Sequence, residues 1–307
     1  MSKFTMMIGI PASGKSYYAE ELKNENTVLI ATDKMREILC GDVSMQEYND
    51  LIFSTALKWI KQHLQNGKDV IFDATNINRK ARKNILRSID TVKKAVFMAT
   101  PYERAVANNR KRERKLPLDV IRNMYLKFEP PMPQEGFDEI EVKYWKNSKN
   151  CYSIKDFIDK ACGINQDNPH HSLSIGEHCI QTLKKVNVNA DLELRYAALL
   201  HDEGKIFTKA FDGEVAHYYN HHNVSAYNSF FYKMPPSVRH LYGANLISWH
   251  MGPFMAWKNK IKMENKENQN QNQNKPNESG LGNQENDTTQ DYLSAISELK
   301  KNSVPKE

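Results

Sequence analysis

At 307 residues the chain is long enough for two ordinary domains, each burying a core of its own. Hydrophobic residues make up 40% and charged residues 26%, a globular balance, yet a mean hydropathy of −0.69 requires some segment to be unusually polar. The net charge of +6 is uneven: the first 150 residues hold 26 Lys and Arg against 19 Asp and Glu, a net +7, and the remainder stands at −1.

In chain order, "KFTMMIGI", "TVLIAT", "DVIFDAT", "KAVFMAT" and "IEVKYW" read as strands, being short apolar or alternating runs. Between them, "GKSYYAEELK", "SMQEYNDLIFSTALKWIKQHLQNG", "NRKARKNILRSI" and "PYERAVANNRKRERK" place apolar residues at helical spacing, and Gly67 stops the longest of them. Strands alternating with helices predict a mostly parallel sheet covered on both faces. From about Cys151 the strand signals end, and "SLSIGEHCIQTLKKV", "LELRYAALLHDEGK" and "SVRHLYGANLISWHM" predict a second, all-helical domain. Residues 264–290, Asn/Gln-rich with Leu281 as the one apolar residue, read as a disordered insert or linker, and "DYLSAISELKK" beyond it reads as a helix. The expected organisation is therefore 1–148, 149–263, 264–290 and a C-terminal helix and tail over 291–307.

Cys40, Cys151, Cys162 and Cys179 form no C-x-x-C pair, which predicts reduced thiols in a cytoplasmic protein. No apolar run reaches membrane-spanning length, so no membrane partner is expected. The basic excess gathers in "RKARKNILR" and "NNRKRERK", which suits a polyanion such as nucleic acid and equally suits a solvated helix face.

The opening stretch "GIPASGKS" fits G-x-x-x-x-G-K-[ST] through Gly9, Gly14, Lys15 and Ser16, with a strand before it and a helix after it. Glycines let backbone N–H groups turn inward around phosphates, and the helix N-terminus adds the positive end of its dipole. Lys15 is expected to reach the β- and γ-phosphates of ATP or GTP and Ser16 to coordinate Mg²⁺. After the second strand comes Asp33, with Arg36 one helical turn on. This carboxylate can accept a proton from an attacking hydroxyl, and the arginine can neutralise a transferring phosphoryl group; the competing reading is a helix N-cap with a surface arginine. At the third strand end, Asp73 sits where a carboxylate would assist the Mg²⁺ shell or orient the acceptor, with Asn76 expected to cap the next helix. Arg110, Arg112 and Arg114, ahead of Pro117, are placed for a lid.

These pieces, with "ATDKMR", "VIFDATNINRKAR", "NNRKRERKLPLDVIRNMYLKFEPP" and "EGFDEI", resemble the P-loop domain of polynucleotide 5′-hydroxyl kinases over most of residues 4 to 142. The resemblance implies that Gly9, Ser13, Gly14, Lys15, Ser16 and Asp73 serve ATP and Mg²⁺. It further implies Asp33 as general base, Arg36 as transition-state stabiliser, and Arg112 and Arg114 as lid arginines. Related kinases with the same pieces phosphorylate small molecules, so the acceptor is left open between the two.

In the second half, His201 and Asp202 adjoin in "ALLHDEGK", and such a pair can ligate one divalent ion or bridge to a second. His178, His221, His222 and His250 are further candidates. The order His, His-Asp, His, His resembles the HD-domain metal-dependent phosphohydrolases over roughly residues 170 to 255. That resemblance implies His178, His201 and Asp202 around a first metal such as Mn²⁺, His221 and His250 around a second, and Lys205 on the substrate phosphate. His221 is favoured over its neighbour His222 because "YYNHHNVSA" aligns with the family's Gly-His pattern, with Asn220 in place of Gly. The family's closing Asp has only Asp287 and Asp291 as candidates, both in the polar segment or at its edge. An α/β P-loop kinase domain followed by an all-α HD domain resembles enzymes that heal nucleic-acid ends. This implies 5′-OH RNA or DNA ends as substrates, with RNA favoured, hydrolysis of 3′-phosphate or 2′,3′-cyclic phosphate ends, and a separate ligase as partner. The alternative is a small-molecule or nucleoside kinase joined to a nucleotide phosphohydrolase. The oligomeric state is left open.

Overall fold

The computed structural model describes residues 2–42, 45–169, 171–253, 256–257 and 260. Met1–Pro253 form one compact unit and Phe254–Glu307 a second. The polar segment 264–290, the C-terminal helix expected over 291–307, and Asp287 and Asp291 lie outside the described residues.

The first half runs β1 (Lys3–Ile8), α1 (Lys15–Glu21), β2 (Thr27–Ala31), α2 (Thr32–Cys40), α3 (Asn49–Gln65), β3 (Asp69–Asp73), α4 (Arg79–Leu86), β4 (Val92–Ala99), α5 (Tyr102–Arg110), α6 (Leu118–Leu126) and β5 (Glu139–Tyr144). All five strands pair in parallel, in the order β2-β3-β1-β4-β5. Strands covered on both faces read as continuous apolar runs, and β1 is buried from Phe4 through Ile8. Its alternation sends Phe4, Met6 and Ile8 to one face and Met7 to the other, where Ala19 of α1 packs.

The helical half comprises α7 (Ile154–Cys162), α8 (Ile175–Lys185), α9 (Leu192–Leu200), α10 (Lys205–Thr208), α11 (His221–Asn228) and α12 (His240–Trp249). It departs from the all-helical expectation by an antiparallel hairpin, β6 (Ala210–Asp212) with β7 (Val215–His217), turned by Gly213-Glu214 with Gly213 at φ +61°. Phe157, Ile175, Cys179, Leu200 and Ile247 give this half a core of its own. A second core runs across the boundary expected near residue 148. Phe97 of the sheet and Phe128 meet Tyr227 and Phe230 at ring centroid distances of 4.8 to 6.0 Å, and the Tyr227 hydroxyl donates to the Thr100 carbonyl at 2.6 Å. The helix that opens with His221 is thereby seated on the same sheet whose β1 ends in the glycine-rich loop.

Candidate active sites

The loop after β1 sits at the strand carboxyl ends, where the order reverses on either side of β1 and ligands of open α/β sheets bind. Two glycines are required by space as well as by dihedral. Gly9 is at φ +152°, and a Cβ there would come within 2.9 Å of Ser13 Oγ and 3.1 Å of the Met98 carbonyl; Gly14 is at φ +94°, and a Cβ there would fall 2.5 Å from the Trp145 ring. The loop is pinned from outside: Thr100 Oγ1 donates to the Ser13 carbonyl (2.8 Å) and Asn108 Nδ2 to the Ala12 carbonyl (3.0 Å). Lys15 is buried and donates from Nζ to the Ile10 carbonyl at 2.9 Å. Burial pulls its ammonium down to about 8, against the charges of Asp73 and Asp33 and with the help of Arg112. Those three charges therefore converge on Lys15. Ser16 is exposed one residue on, free of the packing that holds Ser13 at 0% exposure.

Register explains the convergence. Met7 of β1 and Ala31 of β2 both lie opposite Asp73, so the loop, Asp33 and Asp73 leave the sheet at one edge. Asp33 lies in the first turn of α2 rather than at its N-cap, which is Ala31. Its carboxylate is 63% exposed and accepts from Arg36 Nη1 at 2.8 Å; Arg36 is itself buried, donates from Nη2 to Asn49 Oδ1 at 2.7 Å, and keeps a buried Nε with no hydrogen-bond partner. Asn76 does not cap α4 as expected. Held at φ +47°, it donates from Nδ2 to the Met7 carbonyl and ties β3 to β1, and Asn78 makes the cap through the Ala81 N–H. The helix expected through Lys115 ends at Arg110, because the Arg-rich run offers no apolar face. Arg112 and Arg114 stand exposed on the loop that follows.

In the helical half, His178, His201 and Asp202 form one group of convergent ligand atoms and Asp202, His221 and His250 another, each within 4.8 Å. Asp202 is shared, and its two oxygens divide the groups. Oδ2 lies 3.4 Å from His178 Nε2 and 3.3 Å from His201 Nε2; Oδ1 lies 3.2 Å from His221 Nε2 and 3.8 Å from His250 Nε2. Three of the imidazoles are oriented the same way, Nδ1 of His201, His221 and His250 meeting the carbonyls of Ala198, Tyr218 and Ile247 at 2.7 to 2.9 Å. A carbonyl only accepts, so each Nδ1 carries the proton and each Nε2 presents a lone pair. His178 and His201 face each other at 3.2 Å through Nε2, as do His221 and His250. In the second pair both nitrogens present lone pairs, which repel at that distance unless a cation lies between them; in the first, a His178 Nε2–H can donate to His201. Both groups have the nitrogen and carboxylate donors that suit a divalent ion, with Asp202 common to the two.

The electrostatics of Asp202, His178 and His250 suit the same occupant, and that of His201 works against it. Burial works against its charge, yet the neighbouring His201 and His221 and the charge of Lys205 hold Asp202 well below the usual carboxylate range. Burial pushes His250 down to about 3 and lowers His178, keeping both neutral as ligands must be. His201 is raised: burial resists, and Asp202 outweighs it. Lys205 Nζ donates to Asp202 Oδ2 at 2.8 Å and to Gln166 Oε1 at 2.7 Å. His222 belongs to neither group; its ring packs edge-on to His221 and His250, and burial pushes it down to about 4.

Sequence reasoning had no signal for Asn49, which steadies Arg36, for Gln166, which holds Lys205, or for Trp145, which closes over Gly14.

Residues 4–131 match the AAA domain family model. The L-seryl-tRNA(Sec) kinase of Methanococcus maripaludis is 27% identical over 171 residues, covering 53% of this chain and 66% of the relative. Among solved structures, a chain of the Pnkp1/Rnl/Hen1 RNA repair complex aligns over 40% of this chain and 42% of its own length (22% identity, TM-score 0.37). A sugar kinase from Janibacter sp. HTCC2649 aligns over 47% and 86% (18% identity, TM-score 0.38). The chain thus spans just under two thirds of the curated relative and less than half of the repair-complex chain. The N-terminal part of this chain is an α/β fold built on a parallel five-stranded sheet, with the G-x-x-x-x-G-K-S loop directly after β1 and residues 4–131 matching the AAA domain model.

Proposed function

We propose that this chain heals nucleic-acid ends from two sites: an ATP-dependent kinase that phosphorylates 5′-OH polynucleotide ends, RNA in preference to DNA, and a metal-dependent HD phosphohydrolase that clears 3′-phosphate or 2′,3′-cyclic phosphate ends. The observation that carries it is the presence in one compact unit of two constellations suited to phosphate chemistry, the loop with Lys15, Asp33 and Asp73 and the His cluster that shares Asp202. The +7 charge of the first 150 residues favours a polyanionic acceptor. The curated relative's name places its kinase on a seryl group carried by tRNA, an RNA-borne hydroxyl, which favours RNA.

In the kinase, inward N–H groups of the loop and Lys15 hold the β- and γ-phosphates, and Ser16 with Asp73 would hold Mg²⁺, which supplies charge neutralisation. Asp33 accepts the proton of the attacking hydroxyl from its exposed position at the crevice edge. Arg36, kept in place by Asn49, turns its unpaired Nε and the guanidinium charge on the transferring phosphoryl group. In the hydrolase, His178, His201 and Asp202 would hold one divalent ion and Asp202, His221 and His250 a second. Such ions supply Lewis acidity and a more acidic water. Lys205, fixed by Gln166, neutralises the phosphate oxygens, and Asp202 sets the spacing of the two groups.

The test is transfer from γ-labelled ATP to matched 5′-OH RNA and DNA oligonucleotides with Mg²⁺, using Asp33→Asn as control. Label on RNA with the wild type and none with the variant is the expected result. Failure to label either polymer while ATP still binds would assign the kinase to a small-molecule acceptor.

A further inference from the structure

Beside the histidine cluster lies a cavity of about 630 Å³ that the reactions above leave unused. It is lined by Arg239, Tyr242, Asn245, Leu246, Trp249 and His250, among others, and its volume falls within the roughly 300–1,000 Å³ of small-molecule sites. His250 belongs both to this cavity and to the ligand group around Asp202, so the cavity borders the cluster. Tyr242 and Trp249 are two helical turns apart on α12, on one face, and remain 46% and 52% exposed, unusual for large aromatic groups lining a pocket.

Both rings are held in place from outside. Arg79 stacks over the Trp249 indole at 5.0 Å from its centroid and is fixed by Asn245 Oδ1 (3.2 Å) and the Pro130 carbonyl (3.3 Å). Arg239 lies over Tyr242 at 4.7 Å and is clamped by Glu193, which accepts from both its backbone N–H and its Nε at 2.9 Å. Exposed aromatic rings with guanidinium groups over them are the chemistry that takes a flat nucleobase, which stacks on aromatic side chains and on arginine alike.

We infer that this cavity is a base-stacking subsite, in which Trp249 and Tyr242 receive the nucleobase attached to the phosphate that the histidine cluster handles. The inference rests on the phosphohydrolase reading for the identity of the neighbouring phosphate. The shared chemistry is a nucleoside phosphate, supplied either as a free mononucleotide or as the end of a strand.

Calorimetric titration of the full chain with uridine 3′-monophosphate, ribose 3-phosphate and a 3′-phosphorylated single-stranded RNA tests it. One base stack is worth a factor of about 5 to 150 in affinity, so the uridine nucleotide is expected to bind tighter than ribose 3-phosphate by a ratio in that range. Trp249→Ala and Tyr242→Ala each bring the ratio towards one, and Trp249→Phe keeps most of it. A ratio near one in the wild type, or one unchanged in both alanine variants, overturns the subsite. Phosphate release from the same ligands with Mn²⁺ is read separately. No release with the base-dependent ratio intact removes the hydrolase reading and leaves the pocket standing, and release with no base dependence does the reverse. Tighter binding of the oligonucleotide than of the mononucleotide assigns the occupant to strand ends, and equal binding to free nucleotides.

Discussion

Replacing Lys15 by methionine should make the nucleotide-free protein more stable while ending its ATP chemistry. Burial has drawn the ammonium from an ordinary 10.5 to about 8, so below pH 8 the folded chain holds a charge that the unfolded chain solvates better. At 1.36 kcal/mol per pH unit the gap amounts to about 3 kcal/mol against the folded state. Methionine has similar length and no charge. It forfeits the hydrogen bond to the Ile10 carbonyl, worth about 1 kcal/mol, but that carbonyl still accepts from the Ser13 N–H. A net gain of about 2 kcal/mol, some 4–8 °C in Tm for a unit of this size, is expected at pH 7 in chelator without nucleotide. The sign reverses its course with pH. Between about 8 and 10.5 the unfolded chain binds a proton that folded Lys15 does not, so wild-type stability climbs relative to the variant and the advantage fades by pH 10.5. Differential scanning calorimetry of both proteins at pH 7, 8.5 and 10 reads this directly. A variant less stable than wild type at pH 7, or a gap that stays constant to pH 10, would show that burial does not destabilise the Lys15 charge.

Three other substitutions follow from the geometry. Arg82 and Glu135 are fully buried and paired at 2.6 and 2.7 Å, so Arg82→Met, which strands a buried carboxylate, should cost about 3–5 kcal/mol in urea unfolding. The double variant with Glu135→Met should recover much of it, and a single-variant loss under 1 kcal/mol would contradict the pairing. Gly14→Ala sets a Cβ 2.5 Å from Trp145 at a positive φ, so ATP affinity should fall at least about tenfold by equilibrium dialysis. Adding Trp145→Ala should restore only part, since the dihedral strain remains; full restoration would show that the clash alone mattered. Asp202→Asn should abolish phosphate release while ATP-dependent transfer continues, and Lys15→Met should do the opposite. Loss of both activities in either folded variant argues against two sites.

The five strands were legible because a parallel sheet buried on both faces demands continuous apolar runs, and the glycine loop because its spacing is dictated by phosphate geometry. Local capping was less so. Asn76 and Asn78 are both suitable caps by residue type, and only the strand register shows that Asn76 is taken up by β1. The small hairpin had Gly213 at the first position of its turn to announce it, but its strands of three residues are too short for an alternating pattern. His201, His221 and His250 each bond the carbonyl three residues back, an offset that acquires meaning only when the helix ends are placed. The aromatic core shared by Phe97, Phe128, Tyr227 and Phe230 had no sequence signature, since contacts across that separation leave no local period.

Action of one chain on two kinds of end through separate sites is tested most directly by following a single RNA oligonucleotide with a 5′-OH and a 3′-phosphate by mass spectrometry, in the presence of ATP, Mg²⁺ and Mn²⁺. Wild type is expected to add a phosphate at the 5′ end and remove one at the 3′ end, Lys15→Met to perform only the removal, and Asp202→Asn only the addition. An oligonucleotide unchanged at both ends by the folded wild type, with ATP bound, would contradict action on the two ends.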